Sequence, residues 1–536
     1  MDMVIDLNLW PKTSLILALV GCLGGIGGAL AGEDAQIAVR PGDTLISLSQ
    51  RYLDRPERWV ALKSLNHVPD EFHLQPGSMI RLPAQWLRWT KGRAEVLHVT
   101  GKVSSDQGMV AKGMKLPEGD HIDTGSEGIL TLKLRNGATV VFPPGTRARL
   151  GELKQISGAP MERTVIDLEA GSAESHVPSL KASDSRFEVR TPRVVTAVRG
   201  TRFRVGSEGE ESHHELIEGK VWIAGKRTQA TLNPGEGVVA EAGRVGKTVA
   251  LPPAPDVSEL PKRVERTVVS FSVSPLAGVA KWHWRLAADA DFTLPLKDER
   301  TSSPTWVMAG VPDGDYFLAL RTVDAHGLEG RDAVQPIAVR AHPEPPLMLY
   351  PSPEGFSAGK VHFSWAEAEG AATTRLQMAS DSNFERILVD VPAVAARELT
   401  LADPVSPGDY WWRLASRRAD GYQGPFGDGA HFHQLAPTEV APPSLSKDGL
   451  HVAWSGPQDL RYRVQLGDDV NFSAPPREIE VTGTTAQFPT PKSGLHFLRI
   501  QPVLADGSAG PWSTPQRFEV PSNLPWWALV LVLPLL

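Results

Sequence analysis

At 536 residues the chain is too long for one hydrophobic core, and at roughly 150 residues per domain it should hold about three to five domains. A formal net charge of −7 lacks the basic surplus that a nucleic-acid face requires, and a single cysteine excludes an intramolecular disulfide. The 49 glycines, 45 prolines and 15 tryptophans are set among strand-like runs, which points to β-sandwiches and loops.

The first element is apolar, Leu15 to Leu30, and ends in the small-residue triplet Ala29-Leu30-Ala31. Residues 1–31 therefore read as an export signal peptide, although Asp2 and Asp6 precede Lys12. Leu19-Val20-Gly21-Cys22 resembles a bacterial lipobox, so cleavage after Ala31, lipidation at Cys22 and an uncleaved anchor all stay open. No later uncharged apolar run approaches the roughly 18 residues that a membrane span needs.

From Ile37 to Pro83 the spacing predicts β, α, α, β. Ile37-Ala38-Val39 is a strand and Arg40-Pro41-Gly42-Asp43 a turn; Asp43 or Thr44 then caps a helix with Leu45, Leu48 and Tyr52 on one face. Pro56 suits the first position of a second helix, which buries Trp59, Leu62 and Leu65 and ends at Asn66 in a left-handed conformation. Gln75-Pro76-Gly77-Ser78 turns the chain into a closing strand, Met79 to Leu82.

The opening Pro41-Gly42-Asp43-Thr44-Leu45, with Leu48, Asn66, and Leu74 to Gly77 leading to Ile80 to Pro83, resembles the LysM family of modules that bind N-acetylglucosamine-containing glycans such as peptidoglycan and chitin. The resemblance implies a shallow sugar groove between two loops. Gly42, Asp43, Thr44 and Leu45 would form one side; Pro69, Asp70, Glu71, Phe72 and His73 would form the other. Backbone groups and a hydroxyl suit an acetamido group, while an apolar edge takes its methyl. The alternative is that Gly42, Asp43 and Thr44 are only a turn and cap.

Residues 94–249 read as strands throughout. Leu130, Leu132 and Leu134 alternate with polar residues, and Asn136-Gly137 predicts a type I′ hairpin into Ala138 to Phe142. Three places resemble the FecR domain, an all-β module of envelope proteins: Gly119 to Gly125, Phe187 to Pro192 leading to Val198 to Phe203, and Glu218 to Val221. Regulators of that family carry a cytoplasmic segment that controls a sigma factor; the apolar run here begins at Leu15, and the residues before it are expected to be too few for such a segment. Arg199 and Arg202 are either anion or partner contacts or plain strand-end residues around a required glycine.

Pro-rich joints at Leu251 to Pro261, His342 to Pro346 and Ala436 to Ser444 divide the remainder into repeats 262–341, 347–435 and 444–520. Ala288 to Phe292 answers to Ser380 to Phe384 and Gly467 to Phe472; Gly314-Asp315-Tyr316-Phe317 answers to Gly408 to Trp411 and Gly494 to Phe497. Each pair of motifs is followed by an arginine, Arg321, Arg413 or Arg499. The units resemble fibronectin type III or similar immunoglobulin-like sandwiches, with Trp365, Trp454 and Tyr410 as core aromatics.

No catalytic set and no cofactor site is expected. His213-His214-Glu215 and His431-Phe432-His433 are the nearest approach to metal ligands, but a site normally needs a third or fourth donor, so no metal is expected either. The apolar end 525–536 is too short to span a bilayer, though Trp526 and Trp527 suit membrane contact.

The sequence thus describes a mainly β multidomain protein: a small α+β (βααβ) LysM-like module, an all-β FecR-like domain and three β-sandwich repeats. The expected function is non-enzymatic: an exported envelope protein, periplasmic or at the outer-membrane or cell surface, that binds peptidoglycan and presents its β modules to envelope proteins. Signal sensing through the FecR-like region is the alternative.

Overall fold

A computed structural model describes residues 34–156, 161–179, 185–198, 200–436, 438–503, 507 and 509–521. The expected signal peptide with Cys22, the residue Arg199 and the apolar tail lie outside the described residues. By its contacts the chain falls into two compact units. Among the described residues, one takes those up to 260 with 271–306 and 316–336; the other takes 261–270, 307–315 and those from 337 on.

The first unit begins with the βααβ order. Strand β1 (Ala35–Ala38) pairs antiparallel with β2 (Met79–Leu82), and helices α1 (Leu45–Tyr52) and α2 (Trp59–Leu65) intervene in the chain. Thr44 is the cap of α1: its hydroxyl accepts from Ser47 N at 3.0 Å while Ser47 Oγ accepts from Thr44 N at 2.9 Å. A 3₁₀ turn starting at Pro56 leads into α2. Asn66 departs from expectation, because its φ is −100° and the left-handed residue is His67, at +52°. The Asn66 side chain explains the difference: its amide donates to Leu62 O and Arg81 O, and its carbonyl accepts from Arg81 N at 2.7 Å. It is a clamp between the end of α2 and β2, which the backbone could not be if Asn66 itself turned.

This module shares a core with the barrel that follows. Leu45, Leu48, Tyr52, Leu62 and Leu82 pack in one cluster with Ile156 and Met161, which lie beyond 150 in the chain. The strand Trp89–Lys91 makes the junction, since Trp89, Thr90 and Lys91 pair with Ile156, Gln155 and Lys154. Arg163 lies over the Trp89 ring, 4.9 Å from its centroid.

Strands from Trp89 to Ala250 close into a barrel. Its spine is the strand Glu162–Val177, whose first half pairs with Arg147–Ile156 and Arg186–Arg190 and whose second half pairs with Thr139–Phe142 and Thr201–Glu208. The switch falls at Gly171, with φ +82°; a Cβ there would lie 2.6 Å from Gly145 O. Glycine is the residue that permits both the bend and the close approach. The hairpin at Asn136-Gly137 forms, with Thr139 opposite Lys133. Its turn is not type I′, because only Gly137 of the pair is left-handed, at +84°. Gly137 N donates to Leu134 O and Leu134 N donates to Ala138 O, so the loop is one of the longer forms in which glycine follows an ordinary turn.

The rest of this unit holds strands Val279–Ala287 and Pro295–Thr301, with residues 317–324 in register against the first. Trp284 and Trp306 stack at 5.8 Å, and Phe271 lies 5.7 Å from Trp306.

In the second unit, residues 348–435 form a three-stranded sheet facing the core opposite a larger sheet whose centre is Gly408–Arg417. Residues 444–520 repeat the plan with sheets of three and four strands. Trp365, Tyr410 and Trp454 are all buried.

The repeated aspartate motif has one structural purpose. Phe292, Phe384 and Phe472 each take a left-handed backbone, φ +56°, +58° and +55°, because Asp289, Asp381 and Asp469 accept hydrogen bonds from the amides beyond them. The bend tucks each ring beneath an arginine: Arg413 over Phe384 and Arg499 over Phe472, both at 4.0 Å, and Arg285 over Phe292 at 4.8 Å. Here the equivalence of Arg321 with Arg413 and Arg499 needs correcting. Arg413 lies opposite Gln377 and Arg499 opposite Gln465, but the position opposite Arg285 is Ala319; Arg321 is two residues further on, opposite His283. In the first repeat the ring-covering cation has moved to the neighbouring strand, which frees Arg321 for another task.

Candidate functional site

The two loops named from the sequence lie side by side. Leu45 N donates to Glu71 O at 3.0 Å, so the turn before α1 and the loop after α2 form one surface. Not every named side chain reaches it. Leu45 is fully buried, and Asp43, at 7 % exposure, is turned inward to accept from Arg40 N at 2.9 Å and to pair with Arg51 at 3.1 Å. Gly42, with φ +85°, and Thr44 are left on the rim of the first loop. Across from them Pro69, Asp70, Phe72 and His73 are exposed.

The second loop is held by its own charges. Asp70 accepts from Phe72 N at 2.8 Å and from His73 Nδ1 at 2.8 Å, and these bonds hold its carboxyl below the usual range. Glu71 is likewise lowered, chiefly by its hydrogen bond with Lys63. Phe72, at 58 % exposure, is thereby presented to solvent beside the rim. A rim of backbone, one hydroxyl and one aromatic face can hold a sugar ring.

A second cluster, in the same unit, joins residues too scattered for sequence reading to connect. Glu174 accepts from Arg285 Nη1 at 2.9 Å and from Arg321 Nη1 at 3.3 Å. Glu329 pairs with Arg321 at 2.7 Å, Arg300 at 2.8 Å, His283 at 3.1 Å and Arg204 at 3.4 Å. Burial pushes the Glu174 and Glu329 carboxyls up, but the surrounding arginines outweigh it and hold both well below the ordinary range. Asp298 behaves alike, settling at about 2 under His283 and its arginines. Glu215 goes the other way: burial, against Arg204 and with Glu329 adding repulsion, raises it to about 7.

All of these side chains except His283 line a cavity of about 470 Å³. His213 and Glu215, from the candidate metal-ligand run, and Arg321, from the repeat motif, all line it, and Arg202 pairs with Glu174 at 3.4 Å. The suggested metal ligands divide. His214 is buried against Thr196 and Ser212, and burial lowers its pKa to about 3. His431 and His433 both contact Asp409, at 3.2 and 2.9 Å. Among the described residues no group of three or more His, Cys, Asp or Glu has metal-holding geometry.

Comparison with known proteins places names on two segments. Residues 37–83 match the LysM domain model, and residues 120–222 match the model described as FecR protein. The chain carries a LysM domain and a FecR domain. LysM domains bind N-acetylglucosamine-containing glycans such as peptidoglycan, and both domains are typical of envelope proteins. No curated protein matches the chain.

Among solved structures, a protein of Parabacteroides distasonis ATCC 8503 described as an anti-sigma factor is 21 % identical, over 24 % of this chain and 57 % of that one, with a TM-score of 0.21. The FN1–FN3 domains of chicken CNTN1 are 15 % identical, over 51 % of this chain and 99 % of that one, at 0.19. At those scores neither likeness carries an argument. Among the described residues no helix is long and apolar enough to cross a membrane.

Proposed function

We propose that the chain is an exported, non-enzymatic envelope protein, tethered to peptidoglycan through its LysM domain and presenting its FecR domain and β repeats to other envelope proteins. The observation that carries this reading is the Leu45 N to Glu71 O bond, which sets the Gly42–Thr44 rim beside Phe72 and His73. Gly42, Thr44, Pro69, Asp70, Phe72 and His73 contact the sugar; Asp43, Leu45 and Glu71 hold the loops in place. A single rim of this size gives a small interface, and small interfaces are weak, which suits a tether.

The test is retention of the purified chain on insoluble peptidoglycan. Removing residues 37–83 would strip the cover from Ile156 and Met161, so point variants are preferable to deletion. Phe72→Ala and Thr44→Ala should each release the chain. Full retention in the double variant would sink the proposal.

A second reading, signal relay through the FecR domain, rests on the match at 120–222. Co-purification with an envelope regulator, lost on altering the FecR surface, would favour it over a passive scaffold.

A further inference from the structure

The cavity between the FecR barrel and the strands at 279–301 and 316–324 has an imbalance in its hydrogen bonding. Three buried nitrogens on its walls, Arg204 Nε, His213 Nδ1 and Arg285 Nε, make no hydrogen bond. Glu215 lies 3.9 Å from Arg204 Nε and Asp298 lies 3.4 Å from Arg285 Nε, in both cases without one. A buried polar group without a partner is costly and calls for an explanation.

Two of the acceptors nearby are already heavily committed. Glu174 is shared by Arg202, Arg285 and Arg321, and Glu329 by Arg204, Arg300, Arg321 and His283. Glu208, Glu215 and Asp298 line the cavity as well, but the buried atoms left without a hydrogen bond there are the three nitrogens. Lys281 adds to these donors: it is exposed at the cavity and has no ion-pair partner among the described residues. The site is also built to keep this shape. A Cβ on Gly327 would lie 2.6 Å from the His213 ring, so glycine there lets the imidazole face the cavity. Val141, Pro143 and Val323 give an apolar wall. A volume of about 470 Å³ is of the size that takes small molecules.

We propose that this cavity binds a small acidic ligand, whose carboxylate or phosphate group accepts from Arg204, His213 and Arg285 and is drawn in by Lys281. This is independent of the glycan reading, since the LysM rim contributes nothing to it. The FecR barrel and the following repeat would then respond together to a soluble anion, because both supply its walls.

The experiment is calorimetric titration of the full chain with citrate and, separately, inorganic phosphate, against sodium chloride at matched ionic strength. Saturable binding at one site per chain is expected for at least one probe, with a concentration-dependent rise in Tm. Citrate alone would assign a carboxylate ligand and phosphate alone a phosphoryl one. Lys281→Ala, a surface change, should weaken binding about tenfold. Arg285→Gln should abolish it, provided circular dichroism shows the fold retained. No saturable binding of either probe would overturn the proposal, as would equal affinity in wild type and Lys281→Ala.

Discussion

Glu174, on the spine strand of the FecR barrel, lies 2.9 Å from Arg285, on a strand more than a hundred residues later, with both side chains almost wholly buried. The pair joins the FecR domain to the sheet that follows it. Removing one partner of such a pair leaves an uncompensated buried charge, which costs about 3–5 kcal/mol. Glu174→Gln is therefore expected to unfold at lower urea, with the barrel and the strands at 279–301 and 316–324 losing stability together. A change below about 1 kcal/mol would show that solvent already screens the pair.

Two buried groups give opposite pH dependences. Glu215 is raised to about 7, so the folded state holds its proton between the usual carboxylate range and pH 7; this stability is full at low pH and lost as pH rises through that window. His214 is lowered to about 3, so the folded state refuses a proton that the unfolded chain takes below about 6.5; this stability is lost as pH falls. Between about pH 4.5 and 6.5 the slopes oppose one another, each of order 1.4 kcal/mol per pH unit. Glu215→Gln should expose the His214 slope, so that its Tm climbs with pH across this range while that of the wild type stays nearly level.

In the LysM domain, binding and folding should separate. Phe72 is largely exposed, so Phe72→Ala should shift stability by no more than about 0.5 kcal/mol. Thr44 closes the capping box of α1, and Thr44→Ala should cost about 1 kcal/mol. Thermal melts beside the peptidoglycan pull-down check this: lost binding at unchanged Tm for Phe72→Ala identifies a contact rather than a support.

Ile156 belongs by sequence to the FecR barrel but packs in the LysM core, where it is 1 % exposed. Ile156→Ala should cost about 2–5 kcal/mol. Hydrogen exchange should show the lost protection in residues 35–87 as well as in the strand Arg147–Ile156. Unaltered protection across the LysM helices would show that the two modules fold independently.

Local sequence by itself determined what depends on neighbours in the chain. The periodicity of Leu45, Leu48 and Tyr52, the proline at the start of the 3₁₀ turn before α2, the alternation around Leu132 and the recurring aspartate–phenylalanine turns are short-range consequences of side-chain size, capping and backbone freedom. The LysM and FecR motifs were legible for the same reason, as residues at local spacing. Tertiary structure decided the remainder. Asn66 became a clamp because Arg81 came within reach, and Asp43 turned inward because Arg51 stands beside it. Arg321 left the role of its apparent counterparts because Arg285 already covers Phe292 and Glu174 supplied a buried charge to meet. No local spacing carries that information: a buried charge is stable only with its partners, and Glu174, Arg204, Arg285, Arg321 and Glu329 become partners only once the barrel and the following sheet have folded against one another.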